Sequence, residues 1–299
     1  MKLACFNDNR LGVVLDDRVV DVSEALPHWG IKRLETHVEE VIEGFATYRP
    51  QFERMLARER GVPLAGVRLL APIPRPPKIL AAFVNYRDRE GAQIGPVDFF
   101  YKASNAVVGP GGTVDLPDDD EVGVHHFEAE LAYVIGRRAK HVSEAEAMDY
   151  VFGYLPFIDV SARTAPGIQR RTQLIGKGQD TFAPLGPYLV TKDEVPDPHK
   201  LRVRLWVNGE LRQDYNTSDM AHYIPEQIAW LTKHVALEPG DVLATGTHHV
   251  GLGPVNGGDK VELEVERLGR LAVNVTSSGP AKMGGWGPGA QRQAPATAS

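Results

Sequence analysis

The sequence has little of several features that would place it in a special class. Its 299 residues include one cysteine, Cys5, so no internal disulfide forms and the fold does not depend on an oxidising compartment. No apolar run approaches the roughly 18 residues of a membrane-spanning helix, and no terminal segment has the pattern of a signal peptide. We therefore expect a cytoplasmic protein with no membrane partner.

An excess of basic charge is also missing. The formal net charge is −6 at pH 7, and no basic stripe is interleaved with aromatic residues. Because such a chain repels phosphate backbones, nucleic acid is not expected as a partner. What is present is the composition of an ordinary soluble globular protein, with 42% hydrophobic and 24% charged residues.

The chain divides into three predicted parts. Residues 1–71 begin with short strands, among them LGVVL and RVVDV, and continue with a helix whose apolar face includes Val38 and Val41. The proline cluster at 72–77 cannot continue a helix or a central strand, so we place a boundary there. A second, larger domain is predicted over 72–276, and a disordered or extended tail over 277–299.

Strand patterns dominate the middle part. LRVRLWV and ELRQDY flank the turn pair Asn208-Gly209, which predicts a hairpin. Ser143 and Glu146 predict a capping box before a short helix, and Pro225 opens another helix. The expected fold class is α+β and mainly β, with a small N-terminal α/β domain.

Two neighbouring carboxylates stand out in HHFEAELAYVIG. In a strand, Glu128 and Glu130 share a face with the apolar Ala132 and Val134, so both glutamates are predicted to lie where a cleft meets the core. The alternative is a solvated strand edge.

Three further features favour a site. Asp159 is the single charge in the apolar stretch VFGYLPFID, where an unpaired carboxylate would be costly to bury. Lys177 stands between two glycines, and Thr247 follows a glycine turn that offers backbone N–H groups. A surface-loop lysine and a simple bend are the alternatives. Three carboxylates without cysteine suit Mg²⁺ or Mn²⁺ better than zinc.

Taken together, these motifs resemble the fumarylacetoacetate hydrolase family over about residues 70 to 275, and RLGVVLDDRVVDVSEALP is similar to its small N-terminal domain. The motifs occur in one order along the chain: Glu128 to Leu131, Asp159 to Arg163, Gly176-Lys177, Asp180 to Pro187, Val207 to Glu210, Asn216 to Met220 and Leu237 to Thr247.

The resemblance implies a mixed β-roll, barrel-like catalytic domain that forms a homodimer. It also implies a divalent metal held by Glu128, Glu130 and Asp159, with Lys177 beside the metal and Thr247 helping to hold the substrate. A small 2-oxo acid is the implied partner, because its carboxylate and keto oxygens chelate such a cation.

One motif departs from the family. Acylpyruvate-hydrolysing members carry a lid that reads N-Y-x-x-H-x-x-E, in which the histidine and the glutamate activate water. Here the two positions hold Arg89 and Ala92. A guanidinium cannot act as a general base near neutral pH, so the lid pair is missing. Tyr86 and Arg89 are candidates for substrate binding, and a bidentate Arg89 would favour a dicarboxylate.

A histidine elsewhere could replace the missing base. His248 and His249 follow Thr247, and His248 is our candidate catalytic group. His126 shares the strand face of Glu128 and could support a carboxylate. In each case an ordinary loop or strand-end histidine is the alternative.

Three functions fit these residues. The leading hypothesis is hydrolysis of a carbon–carbon bond in a 2,4-dioxo acid, an acylpyruvate. The second keeps the same metal site for decarboxylation, tautomerisation or hydration of an oxaloacetate-like acid, which needs less of a lid base. The third is a protein that only binds a metal and a small acid.

Overall fold

The structure is a computed structural model that describes residues 1–26, 38–88, 94–165 and 173–282. Arg89 and Ala92 of the predicted lid lie outside the described residues, as do residues 283–299 of the predicted tail. No helix within the described ranges is both long and apolar enough to cross a membrane.

Strands make up most of the regular structure. They are β1 (Lys2–Phe6), β2 (Arg10–Leu15), β3 (Arg18–Asp21), β4 (Val62–Pro63), β5 (Leu69–Leu70), β6 (Ile79–Ala82), β7 (Phe99–Lys102), β8 (Val107–Val108), β9 (Thr113–Leu116), β10 (Val122–Ile135), β11 (Val151–Thr164), β12 (Ala183–Pro184), β13 (Leu189–Thr191), β14 (Arg202–Val207), β15 (Glu210–Asn216), β16 (Val242–Ala244), β17 (Lys260–Val265) and β18 (Gly269–Ser277). The α-helices are α1 (Val38–Glu43), α2 (Phe45–Arg58), α3 (Glu144–Ala147), α4 (Gln173–Lys177) and α5 (Ile224–His234).

Two large sheets organise these strands. The larger has the order β4-β3-β2-β1-β13-β11-β10-β16-β6-β7, with β5 also paired to β1. The smaller has the order β15-β14-β17-β18-β9, and β12 pairs with β8 in a separate two-stranded ladder. Within the described ranges neither sheet closes into a barrel. The prediction of a mainly β fold with few helices is confirmed.

The antiparallel pair β10 and β11 forms the centre of the larger sheet. Each strand is 14 residues long, and nearly every residue of both is buried. One face of β10, with Phe127, Leu131 and Tyr133, packs into one hydrophobic core, and the other, with Ala132 and Val134, packs into a second. Because both faces are covered, these strands are apolar along most of their length.

Several local predictions are confirmed. The helix at Pro225 runs to His234, Ser143 and Glu146 form the capping box, and Asn208-Gly209 joins β14 to β15. Both turn residues have positive φ, 52° and 82°, as this type of hairpin turn requires. The boundary near residue 71 stays a prediction, since β1 of the N-terminal part pairs with β13 in the same sheet.

Candidate metal centre

The register of β10 against β11 brings three carboxylates together. Glu128 lies directly opposite Asp159, and residues opposite each other in an antiparallel pair project to the same face. Glu130, two residues further along β10, projects to that face as well. Ligand oxygens of the three lie within 4.8 Å of one another. We call Glu128, Glu130 and Asp159 the carboxylate cluster.

Lys177 ends α4 with its ammonium inside this cluster. Its Nζ donates to Glu128 Oε2 at 2.9 Å, to Asp159 Oδ2 and to Ser161 Oγ at 2.5 Å. The ring of Phe100 lies below the ammonium, 4.9 Å from Nζ to the ring centre. The structure thus brings together Lys177 and the three predicted metal ligands, and their roles stay predictions.

A second lysine, Lys102, is buried behind Asp159. Its Nζ donates to Asp159 Oδ1 at 2.5 Å and to the backbone carbonyls of Lys177 at 2.7 Å and Val160 at 3.2 Å. Lys102 therefore joins β7, β11 and the end of α4. It also occupies one oxygen of Asp159, while Lys177 contacts the other.

Arg163 is the third cation at the cluster and lies two residues after Ser161 on β11. Its guanidinium donates to Glu128 Oε1 and, at 3.4 Å, to His126 Nδ1. Burial, and next the charge of Arg163, lower the pKa of His126 to about 4. His126 is thus neutral near pH 7, and its Nδ1 accepts a hydrogen bond from Arg163 instead of donating one to a carboxylate.

The balance of charge differs among the buried acids. Burial would raise the pKa of Glu128, but Lys177 and Arg163 outweigh it and hold that pKa well below its usual range. Burial, then Asp159 and Glu128, raise the pKa of Glu130 well above its usual value. Burial would lower the pKa of Lys177, but Asp159 and Glu128 raise it, so its ammonium stays charged.

Glu130 differs from the other two carboxylates of the cluster because it has no cationic partner among the described residues. Its side chain accepts a hydrogen bond from Gly246 N at 2.7 Å, and no lysine or arginine of the described ranges pairs with it. A buried carboxylate without a cation is costly. Oxygen ligands lie about 2.0 to 2.6 Å from Mg²⁺ or Ca²⁺, so two ligands are at most about 5 Å apart. The spacing of the three carboxylates fits a divalent cation, and Glu130 offers such an ion a carboxylate that no lysine or arginine of the described ranges neutralises.

Thr247 lies on the loop that follows β16. Gly246 has φ +86°, and its N–H points at Glu130 because this positive φ turns the chain sharply. Thr247 Oγ1 then accepts from Gln213 Nε2 at 3.0 Å, while Gln213 Oε1 accepts from Ala129 N at 3.0 Å. Gln213 therefore ties the Thr247 hydroxyl to the strand that carries both glutamates.

Tyr86 packs under the same loop. It is buried, its hydroxyl lies 3.5 Å from Thr245 Oγ1, and its ring meets Tyr215 edge to face at 5.0 Å. Its neighbour Asn85 donates to Thr245 O at 2.8 Å. Substrate binding by Tyr86 stays a prediction, as does substrate binding by Arg89, which is outside the described ranges.

His248 stacks on Tyr215. The two ring centres are 5.6 Å apart with 21° between the planes, and Nδ1 accepts from Val250 N at 3.3 Å. Burial lowers the pKa of His248. A catalytic role for His248 is untested by this geometry and stays a prediction.

Sequence reasoning missed Lys102 and Gln213. Both could have been found from strand alternation: Lys102 shares its face with Phe100, and Gln213 shares its face with Tyr215, so each is a polar residue at an inward position. The structure buries Lys102 to 3% and Gln213 to 1% exposure. A polar residue on an inward face is therefore the signal.

Comparison with known proteins places this site in context. Residues 78–276 match the protein family described as fumarylacetoacetate (FAA) hydrolase C-terminal. Maleylpyruvate hydrolase of Aquipseudomonas alcaligenes is 36% identical over 301 residues, which cover 93% of this chain and all of that protein. The mitochondrial oxaloacetate tautomerase fahd2 of Xenopus laevis is 42% identical over 220 residues, 70% of this chain and 68% of its own.

A solved structure is similar over nearly the whole chain. The crystal structure of maleylpyruvate hydrolase from Sphingobium sp. SYK-6, in complex with manganese(II) ion and pyruvate, is 37% identical with a TM-score of 0.83. The match covers 93% of this chain and 99% of that one. The similarity thus extends well beyond residues 78–276, which match the family model.

Proposed function

Because this chain belongs to the fumarylacetoacetate hydrolase family, we propose that it hydrolyses a carbon–carbon bond in an acylpyruvate with the help of a divalent cation. The carboxylate cluster, with Lys177 beside it, is the observation that carries this proposal. Similarity to maleylpyruvate hydrolases along the full length of those proteins supports it. The enzyme class is a hydrolase acting on carbon–carbon bonds.

Glu128, Glu130 and Asp159 would hold the cation, for which we propose Mg²⁺ or Mn²⁺. When bound, a divalent cation supplies Lewis-acid polarisation to a 2-oxo acid. Manganese(II) in the Sphingobium maleylpyruvate hydrolase is consistent with this choice. Three carboxylate oxygens are a ligand set that both ions accept.

The chain's own groups would then act on the substrate. Lys177 keeps a buried positive charge next to the cluster, where it opposes the negative charge that develops as the bond breaks. Gln213 donates to Thr247 Oγ1, and the hydroxyl of Thr247 itself makes only a long hydrogen bond of 3.5 Å to His248 O, so its proton can turn to a substrate carboxylate. Because the cluster is buried, the local dielectric is low, and this strengthens both interactions.

Tautomerisation of oxaloacetate is the second candidate. The lid positions that hold the water-activating pair in acylpyruvate hydrolases are Arg89 and Ala92 here, and tautomerisation consumes no water. Similarity to the Xenopus oxaloacetate tautomerase also favours it. Both reactions use an enolate of a 2-oxo acid, so the same cluster serves either one. Decarboxylation of oxaloacetate would use that enolate as well.

Product analysis by NMR separates these reactions. The purified protein is incubated with acetylpyruvate, maleylpyruvate and oxaloacetate, with Mg²⁺ or Mn²⁺ and again after chelation. We expect metal-dependent formation of pyruvate and the matching acid from an acylpyruvate. If both acylpyruvates stay intact while the keto and enol forms of oxaloacetate interconvert faster, the hydrolase proposal is wrong and the tautomerase holds.

Assembly and location complete the proposal. We propose a homodimer, as the family resemblance implies, and a cytoplasmic location, as the composition of the sequence led us to expect. We also propose a role in the breakdown of aromatic compounds that yield acylpyruvates. Light scattering coupled to size exclusion tests the first point, since a mass near 33 kDa, that of one 32.8 kDa chain, would exclude the dimer.

A further inference from the structure

We propose that His249, held by Asp88, is the group that moves the proton in the proposed reaction, in place of the missing lid pair. His249 Nδ1 lies 3.0 Å from Asp88 Oδ2. We call these two residues the edge pair. This inference rests on the proposed function, because it assigns a step of that reaction.

The contact with Asp88 determines which ring nitrogen of His249 can accept a proton from the substrate or from water. An ionised carboxylate only accepts hydrogen bonds, so Nδ1 of His249 must be the donor. In the neutral ring the proton is then on Nδ1, and Nε2 keeps its lone pair. No hydrogen bond to Nε2 is present among the described residues. A histidine oriented by an aspartate in this way is prepared to accept a proton.

The edge pair lies close to the carboxylate cluster. Gly246, whose N–H donates to Glu130, is three residues before His249, so their Cα atoms are at most about 11 Å apart. The side chain of His249 is 24% exposed and that of Asp88 16%, which leaves the ring held but accessible.

Three contacts join the start of the lid to the loop after β16. Asn85 donates to Thr245 O at 2.8 Å, the Tyr86 hydroxyl lies 3.5 Å from Thr245 Oγ1, and Asp88 meets His249. The lid has lost its own histidine and glutamate to Arg89 and Ala92. Its Asp88 instead binds an imidazole from the opposite loop, so a histidine–carboxylate pair is still present at this edge of the site.

His248, its neighbour, lacks this support. Its Nδ1 accepts from a backbone N–H, and its ring stacks on Tyr215. Among the described residues no carboxylate hydrogen-bonds to His248. Of the two adjacent histidines, His249 therefore has the arrangement of a general base, and His248 that of a packed ring.

The proton balance of hydrolysis is closed with one histidine. His249 Nε2 takes a proton from water while the water oxygen bonds to C4, the acyl carbon of the acylpyruvate. The bond between C3 and C4 then breaks, and its electron pair stays on C3 as the enolate of pyruvate. The protonated His249 returns the proton to C3. Acylpyruvate and water become pyruvate and a carboxylic acid, with no oxidant or reductant.

The test compares His249→Gln, His249→Ala and Asp88→Asn with wild type at saturating Mn²⁺. Glutamine keeps a hydrogen bond to Asp88 but cannot transfer protons. General base catalysis contributes about 10² to 10⁴-fold, so we expect kcat of the glutamine variant to fall at least about 100-fold. Asp88→Asn should fall between this variant and wild type. Mn²⁺ affinity, read by EPR titration, should stay within about twofold because the cluster is untouched.

Chemical rescue separates catalysis from support of the loop. Added imidazole should restore part of the kcat of His249→Ala, since a free base can enter the space that the side chain left. His199→Gln is the matched control and should keep full activity, because His199 contacts Asp197 in a second pair outside the site, 3.6 Å between Nδ1 and Oδ1.

Other results would separate an error in the role of His249 from an error in the proposed function. If wild type hydrolyses acylpyruvates and His249→Gln keeps kcat within about threefold, His249 is not the base, while the proposed function stands. Loss of activity in His249→Ala without rescue by imidazole also overturns the inference. A large loss in His248→Gln alone would assign the step to His248. An inactive wild type would overturn the proposed function and the edge pair together.

Discussion

The carboxylate cluster stands on two 14-residue strands, whereas the edge pair stands on two loop segments, one before residue 89 and one after β16. In the cluster, the hydrogen-bond ladder sets which side chains meet, so Glu128 faces Asp159 whatever surrounds them. At the edge, side-chain contacts alone hold Asp88 to His249. A family can therefore keep its metal ligands and change its proton-transfer group, because loops tolerate substitutions that central strands do not.

Loss of a carboxylate should have the largest effect. We expect Glu130→Gln to abolish Mn²⁺ binding and to lower metal-dependent activity at least about 100-fold, because a ligand contributes more than the groups that orient it. EPR titration and product NMR measure the two quantities. The control is Glu264→Gln, which removes a partly buried partner of Arg204 on the smaller sheet. Full Mn²⁺ binding by Glu130→Gln would remove Glu130 from the site.

Loss of the buried cation behind the cluster should come next. Lys102→Met leaves Asp159 Oδ1 and the carbonyl of Lys177 without their donor, which should lower the free energy of unfolding by about 3 kcal/mol. Mn²⁺ affinity should fall as well, since Asp159 is then free to turn. Urea unfolding and EPR titration test this.

The control for Lys102 is Lys140→Met, because Lys140 also donates to a backbone carbonyl, that of Lys233, but at the surface. Equal stability of the two variants would contradict a special role for Lys102.

Loss of Arg89 should have a smaller effect on activity than the changes above. We expect Arg89→Ala to lower kcat/KM for a dicarboxylate such as maleylpyruvate by about 10 to 100-fold, the value of a charged hydrogen bond. Acetylpyruvate, which lacks the second carboxylate, should change far less and serves as the control. Equal losses for both substrates would show that Arg89 does not read the distal carboxylate.

His125 should have the smallest effect on activity. It lies on the opposite face of β10 from the cluster, edge to face with Phe182 at 6.1 Å. Burial, and next Lys282, lower the pKa of His125 from 6.5 to about 4. The unfolded chain takes up this proton first as pH falls, so the stability that His125 contributes above pH 6.5 is lost as pH decreases to about 4.

The contribution of His125 to the pH dependence of the unfolding free energy can be measured directly. His125→Leu should flatten the loss of unfolding free energy between these two pH values by about 2 to 3 kcal/mol, with kcat unchanged. Chemical unfolding across the range tests this, and His234→Gln, at an exposed helix end, is the control. A pH profile identical to that of wild type would mean that His125 does not stay neutral in the fold.

The sequence allowed the cluster to be predicted far better than the edge pair. Alternation along HHFEAELAYVIG placed Glu128 and Glu130 on one face, and the buried charge of Asp159 in an apolar strand indicated a partner. The register that sets Glu128 opposite Asp159 could not be derived, because pairing depends on the whole sheet. Asp88 and His249 are 161 residues apart, and no local pattern connects them.

The hydrogen bond from Gly246 to Glu130 has a consequence for synthesis of the chain. Its two residues are 116 positions apart, and β16 also completes the larger sheet between β10 and β6. On the ribosome, β10 and β11 leave the exit tunnel long before β16, so the edge of β10 that pairs with β16 has no neighbour during that interval. Long-range pairing of this kind is slow, and unpaired strand edges aggregate. The nascent chain should therefore depend on chaperones most strongly while residues 165 to 240 are being translated.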